Sequence, residues 1–394
     1  MLGLSACGGG EEAASQAAAP ATPPVSTATP PAPSKPAVTT ATDFTKFQAA
    51  PAVSVGGWYW SDQIVRDESV LPISGKTNYT LARDIVRIVS VRNRQTGQTY
   101  TPITDYTAVN GQLVIPAGSQ IPVVPAAWTS TPPDNNQYNV VRADGTPIRV
   151  SHDYQYHQIE VTYEGKAYGG TYVNSPGAQT TLAKLAAGQR VAITFVGDSI
   201  TYGSDTTWEL NIEPRQRGWA DLVSMHLASL HSAQVFYRNW AIPSTVSLAG
   251  SNMAASWLGD TPSDLVVIAY GMNDAGLGVS GADFEAHLRT MISAARTANP
   301  NAEVVLVCSW PSNPEASPLN WTPLGWYYSA INRIAYDTPG VLIANMTSAT
   351  WDYLLTRKSF YDITANGVNH PSDWMHVVYA QVVLGTILGV PVPN

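Results

Sequence analysis

Five short apolar runs, at 190–196, 234–238, 265–270, 303–309 and 340–345, alternate with stretches long enough to form helices. Trp219, Leu222, Val223, Leu227 and Leu230 fall on one helical face, and Phe284, Leu288, Met291, Ile292 and Ala295 on another. Strands that are apolar throughout, separated by amphipathic helices, predict a parallel sheet covered on both sides. In such a sheet, chemistry collects at the carboxyl ends of the strands. The first run ends in Gly197-Asp198-Ser199 and the third in Gly271-Met272-Asn273-Asp274. The second is followed by Asn239 and, five residues on, Ser244. His370-Pro371 precedes a last apolar helix.

The first half of the chain follows a different pattern. Residues 8–45 are Ala, Pro, Ser and Thr with almost nothing to bury, which predicts a flexible, partly polyproline II tether. From 46 to 180 the signals are strands: an alternating run around Ile85, Ile88 and Val89, tight-turn dipeptides at Asn110-Gly111 and Asp144-Gly145, and a further alternating run, "HQIEVTYEG". A small β-sandwich-like domain is expected there, before a domain spanning 181–394.

The 394 residues carry a formal net charge of −8 and only 13% charged side chains, so a nucleic-acid or anionic-membrane surface is not expected. There are two cysteines. Cys308 lies in an apolar run and reads as a buried thiol, whereas Cys7 ends "LSAC" ahead of the tether. That pattern resembles a bacterial lipobox, with 1–7 as its remnant. It implies a lipid anchor on Cys7 and an address in the cell envelope, outer membrane or periplasm, or secretion. Met1-Leu2-Gly3 departs from the pattern in lacking a charged, apolar leader.

"GDSIT", "GMND" and "HP", each following a predicted element and in this order, resemble the nucleophile, asparagine and histidine blocks of the SGNH (GDSL-type) hydrolases. The likeness is greatest to secreted bacterial carbohydrate-esterase-like members with an N-terminal β-domain. It implies a three-layer α/β/α domain with a parallel sheet and a Ser199 nucleophile. It also implies an oxyanion hole from the Ser199 and Ser244 backbone N–H groups and the Asn273 amide. The chemistry is coherent, because a serine hydroxyl needs a base and a tetrahedral oxyanion needs donors already in place. The family usually has Gly where Ser244 stands, and Ser serves there if its φ is allowed.

Two histidines compete for the base. His370 has the family's Pro but Gly367 three residues earlier, where the family has Asp. His376 has Asp373 at that offset but no Pro, and lies in an apolar helix for which Asp373 reads as the cap. His370 is the expected base. Asp362, Asn366 and Asp373 are all close enough in sequence to orient it, and Asp362 is taken as the acid. A dyad helped by an asparagine or a carbonyl is the other arrangement.

Neither a cofactor nor a catalytic metal is expected, since no metal-ligand spacing occurs. The expected reaction is hydrolysis of acyl esters, O-acetyl first among them, on a polysaccharide or oligosaccharide through an acyl-enzyme. Tyr202 and Trp240 are candidates to stack on sugar rings. The alternatives are a lipase or thioesterase of the same superfamily, and a non-catalytic carbohydrate-binding surface lipoprotein.

Overall fold

The computed structural model describes residues 47–51, 55–133, 139–230, 234–259, 262–317 and 322–394. The expected tether and the Cys7 anchor lie outside them. The described residues form one compact unit.

In chain order the strands are β1 (Gln48–Ala49), β2 (Ile64–Val70), β3 (Asn78–Tyr79), β4 (Ile85–Asn93), β5 (Thr107–Val109), β6 (Gln112–Val114), β7 (Ile159–Gly165) and β8 (Tyr172–Val173). They are followed by β9 (Val191–Gly197), β10 (Val235–Asn239), β11 (Leu265–Ala269), β12 (Glu303–Cys308), β13 (Val341–Asn345) and β14 (Val392–Pro393). The helices are α1 (Tyr154–His157), α2 (Gln179–Ala186), α3 (Ser199–Tyr202), α4 (Trp219–Leu230), α5 (Ser247–Ala254), α6 (Met272–Leu277) and α7 (Gly281–Ala298). Then come α8 (Thr322–Asp337), α9 (Met346–Ser348), α10 (Leu355–Arg357) and α11 (Asp373–Leu388).

The five predicted apolar runs are β9 to β13, each within a residue or so of its expected bounds. They pair in parallel in the order β10-β9-β11-β12-β13, with β1 added antiparallel at the edge. The chain moves from β9 to one side, to β10, and then crosses to β11 on the other. That reversal opens a crevice at the carboxyl ends of β9 and β11. Ser199 and Asn273 stand there.

Period-two alternation sends successive side chains to opposite faces. Ile193, Phe195, Val267 and Val305 pack with Trp219, Val223, Val378 and Val382 of α4 and α11. Val196, Val266, Ile268 and Val304 pack with Phe284, Leu288, Met291 and Ile331 of α7 and α8. This is the expected three-layer α/β/α arrangement.

The N-terminal half forms two antiparallel three-stranded sheets, β2-β7-β4 and β3-β6-β5. Their apolar side chains do not close on themselves. Val65, Val70, Val161 and Tyr163 belong to the same buried cluster as Trp374, Val378 and Val382 of α11. Buried polar links fasten the join: Tyr59 N–H donates to Gln381 Oε1 at 3.1 Å, and Gln381 Nε2 donates to the Gly57 carbonyl at 2.7 Å.

Candidate active site

Gly197 ends β9 where the backbone of β11 passes close by; a Cβ added to it would lie 2.5 Å from the Ala269 carbonyl oxygen. Asp198 caps the one-turn helix α3, its carboxylate accepting from Ile200 N–H at 2.9 Å. Ser199 is therefore the first residue of a helical turn, whose Ile200 and Tyr202 N–H groups are taken up by the Asp198 carboxylate and carbonyl. Burial pushes the Asp198 carboxyl up to about 7, against the lowering effect of the Ile200 bond.

Ser199 Oγ lies 2.9 Å from Nε2 of His370. On the other side of the ring, Nδ1 lies 2.5 Å from Oδ2 of Asp205. The loop carrying His370 is held by Asn366, whose Oδ1 accepts from the backbone N–H groups of Val368, Asn369 and His370 at 3.0, 3.0 and 3.1 Å. Trp310 Nε1 and Asn313 Nδ2 pin the Asn369 and Gly367 carbonyls at 3.0 and 2.8 Å. Asn366 thus positions the histidine's backbone rather than its ring.

Asp362, the expected orienting acid, is elsewhere. It is buried and accepts from Leu71 N–H at 2.8 Å, a bond between the last part of the chain and β2. Asp373 does not reach the ring either, nor does it cap α11: Ser372 does, accepting from Met375 N–H, and Asp373 is the first helical residue. Asp373 receives Arg94 Nη2 at 2.5 Å, Thr207 N–H at 3.0 Å and Gln155 Nε2 at 3.2 Å. It thereby ties the loop after α3 to the N-terminal half.

The reason no acid stands three residues before His370 is steric. Gly367 has φ +84°, and a Cβ there would lie 2.3 Å from the Arg149 carbonyl oxygen and 2.6 Å from Tyr154 Oη. The carboxylate comes instead from Asp205, six residues after the nucleophile. Sequence reading missed it; the one signal is "GSD" directly after the α3 turn, since Asp tolerates the left-handed backbone (φ +62°) found there. Burial acts to raise the Asp205 carboxyl, but the bonds from His152 and His370 outweigh it and hold the group far below the carboxylate range.

His376 is fully buried in α11, accepting from Trp219 N–H through Nδ1 at 3.3 Å. Burial lowers it to about 4, so it is neutral in the folded protein. It is a packing histidine, and the nitrogen at Ser199 Oγ is that of His370.

Ser244 follows β10 with φ +64°, the left-handed region that favours glycine. Its backbone is the shape a glycine would take, held at a cost of roughly 1–2 kcal/mol. Asn273, in the first turn of α6, donates one amide hydrogen to the Thr245 carbonyl at 2.9 Å, which fixes the amide and leaves its second hydrogen for another acceptor. Ser199, Ser244, Asn273 and His370 line a common cavity of about 250 Å³ with His152, Ser204, Asn366 and Asn369. Tyr202 and Trp240 are not among its lining residues. Tyr202 is exposed, and Trp240 stacks on Trp257 with ring centres 5.9 Å apart.

The family model of the GDSL-like lipases and acylhydrolases matches residues 195–378. That match takes in just under half of the chain and includes the Ser199, Asn273 and His370 blocks. Among solved structures it is similar to a two-domain esterase active on acetylated mannans, at 20% identity over 55% of each chain with a TM-score of 0.44. It is likewise similar to Axe2, an acetylxylan esterase from Geobacillus stearothermophilus, at 20% identity over 50% of this chain and 94% of that one, TM-score 0.42. A possible lipase from Chitinophaga pinensis matches at 16% identity over 50% of this chain and 98% of its own, TM-score 0.39. The chain spans about half the length of the mannan-active esterase. No curated protein sequence matches it.

Proposed function

We propose that the protein is a serine esterase that removes acyl groups, O-acetyl foremost, from a polysaccharide or oligosaccharide. The observation that carries this reading is the line Ser199 Oγ, His370, Asp205, with its 2.9 and 2.5 Å links. His370 takes the Ser199 proton as the hydroxyl attacks the ester carbonyl. The oxyanion is met by the Ser199 and Ser244 N–H groups and by the free hydrogen of the Asn273 amide. His370 then gives its proton to the departing sugar oxygen, and water releases the acyl group by the same steps in reverse. The many serine and asparagine residues lining the cavity suit a hydroxyl-rich substrate.

One observation favours the lipid or thioester alternative. A neighbouring cavity of about 320 Å³, sharing Ser244 and Asn273, is lined by Met272, Leu277, Leu324 and Val368. Acetate release from acetylated xylan, mannan, pectin and alginate, alongside p-nitrophenyl esters of increasing chain length, separates the two. Sugar deacetylation with a preference for acetyl is expected, abolished in Ser199→Ala. Activity confined to long acyl chains would favour the alternative, and turnover that survives Ser199→Ala would refute both. As for location, we propose lipid anchoring at Cys7, tested by whether Cys7→Ser moves the protein from the membrane to the soluble fraction.

A further inference from the structure

The Asp205 carboxylate has two histidine partners. Oδ2 faces Nδ1 of His370 at 2.5 Å, while Oδ1 is hydrogen-bonded to Nδ1 of His152. His152 comes from the N-terminal half, on the segment that leads into α1, and its side chain is 68% exposed at the mouth of the cavity that Ser199 lines. The segment is fastened on both sides: Ser151 N–H donates to the Asn366 carbonyl at 3.2 Å, and Gln155 Nε2 donates to the Asp205 carbonyl.

We propose that His152 is a positioning residue for ester hydrolysis, holding the Asp205 carboxylate so that Oδ2 is presented to His370. The inference rests on the hydrolase reading above. It also gives the N-terminal β-sheets a task, because they deliver a side chain that completes the catalytic line from outside the α/β layers.

The physical case has two parts. A carboxylate in a loop turns about its own bond unless both oxygens are engaged, and a small misplacement of a catalytic group is expensive. Asp205 is 2% exposed, and its two carboxylate oxygens are engaged by His152 and His370. The second part is charge. Asp205, Glu209 and Asp153 face the His152 ring, with His370 across the carboxylate, and the Asp205 bond raises its pKa above the usual 6.5 despite partial burial. On the acid side of neutrality His152 therefore carries a positive charge that draws on the same carboxylate as His370. A metal bridging these groups is not the reading, since no cluster of metal-holding His, Cys, Asp or Glu occurs among the described residues.

The test is steady-state kinetics on p-nitrophenyl acetate across pH for wild type, His152→Ala and His152→Asn, with melting temperatures and Ser199→Ala as the blank. Asn places an amide N–H where Nδ1 stood but cannot be charged. His152→Ala is expected to lower kcat roughly 10- to 100-fold with KM little changed. His152→Asn is expected to recover most of that loss, because its amide hydrogen holds Oδ1 as the ring does. Wild-type kcat in His152→Ala overturns the proposal, and so does a well-folded His152→Asn that turns over no faster than His152→Ala. Equal turnover in Ser199→Ala would instead overturn the hydrolase reading.

Discussion

At the scale of single residues, the decisive substitution is Gly367 in the place of an acid. Glycine at φ +84° lets the histidine loop press against Arg149 and Tyr154, and that closeness leaves no room for a carboxylate. Asp205 takes over from the opposite side of the ring. Two aspartates are thus separable by experiment. Asp205→Asn is expected to lower kcat by about 10⁴ while the protein stays folded, because an amide opposite Nδ1 favours the wrong tautomer of His370. Asp362→Asn is expected to lower the melting temperature, through its Leu71 bond, with kcat nearly unchanged. Parallel kinetics and melts decide this; a dead, well-folded Asp362→Asn beside an active Asp205→Asn would return the acid to Asp362.

At the scale of elements, α11 carries the most. Nearly all of it is buried, from Asp373 to Ile387, because the sheet lies against one side and the N-terminal strands against the other. A helix apolar on every side needs that double cover. It also holds His376 neutral, and this has a consequence for stability. The folded value of about 4 lies below the ordinary 6.5, so the unfolded chain gains the proton first as pH falls and stability is lost between those values. The loss amounts to about 3 kcal/mol. Asp198 acts in the opposite sense, its folded value of about 7 lying above the ordinary 3.8, so it adds stability over much of the same fall in pH. The wild-type curve therefore mixes the two, and the difference between wild type and His376→Asn isolates one. Urea unfolding at pH values near 7 and near 4 is expected to show His376→Asn gaining on wild type by about 3 kcal/mol at the lower pH. No pH dependence in that difference would mean His376 is charged in the fold.

At the scale of the whole molecule, the two halves depend on each other. Trp374, Val378 and Val382 share a buried cluster with Val65, Val70 and Tyr163. The buried Arg94 side chain links Glu160 of β7 at 3.1 Å to Asp373 of α11 at 2.5 Å. A chain beginning at residue 181 would leave the apolar back of α11 in water, Asp373 without Arg94, and Asp205 without His152. Removing one partner of a buried charge pair costs about 3–5 kcal/mol on its own. Such a truncated chain is expected to be aggregated or molten by near-ultraviolet circular dichroism, and inactive. A monomeric, cooperatively melting and active product would show the α/β half to be self-sufficient.

The sequence by itself determined the elements that obey local rules. Continuous apolar runs placed β9 to β13 within about a residue, and the strand-helix alternation required a parallel sheet with its chemistry at the carboxyl ends. Because Ser199 and Asn273 each follow directly on a legible strand and His370 stands just before a legible helix, their convergence could be read from order alone. What lay beyond reach was everything set by contact between distant segments. Asp205 and His152 are 53 positions apart, in loops with no periodicity, and apart from the "GSD" turn at Asp205 nothing local marks either for the catalytic line. Gly367 looked like a missing acid until the Arg149 carbonyl was seen against it. The left-handed backbone of Ser244 and the shared core around α11 belong to the same category. Hydrophobic pattern is a property of neighbours along the chain, whereas the pairing of a buried carboxylate depends on which loops the packed core brings face to face.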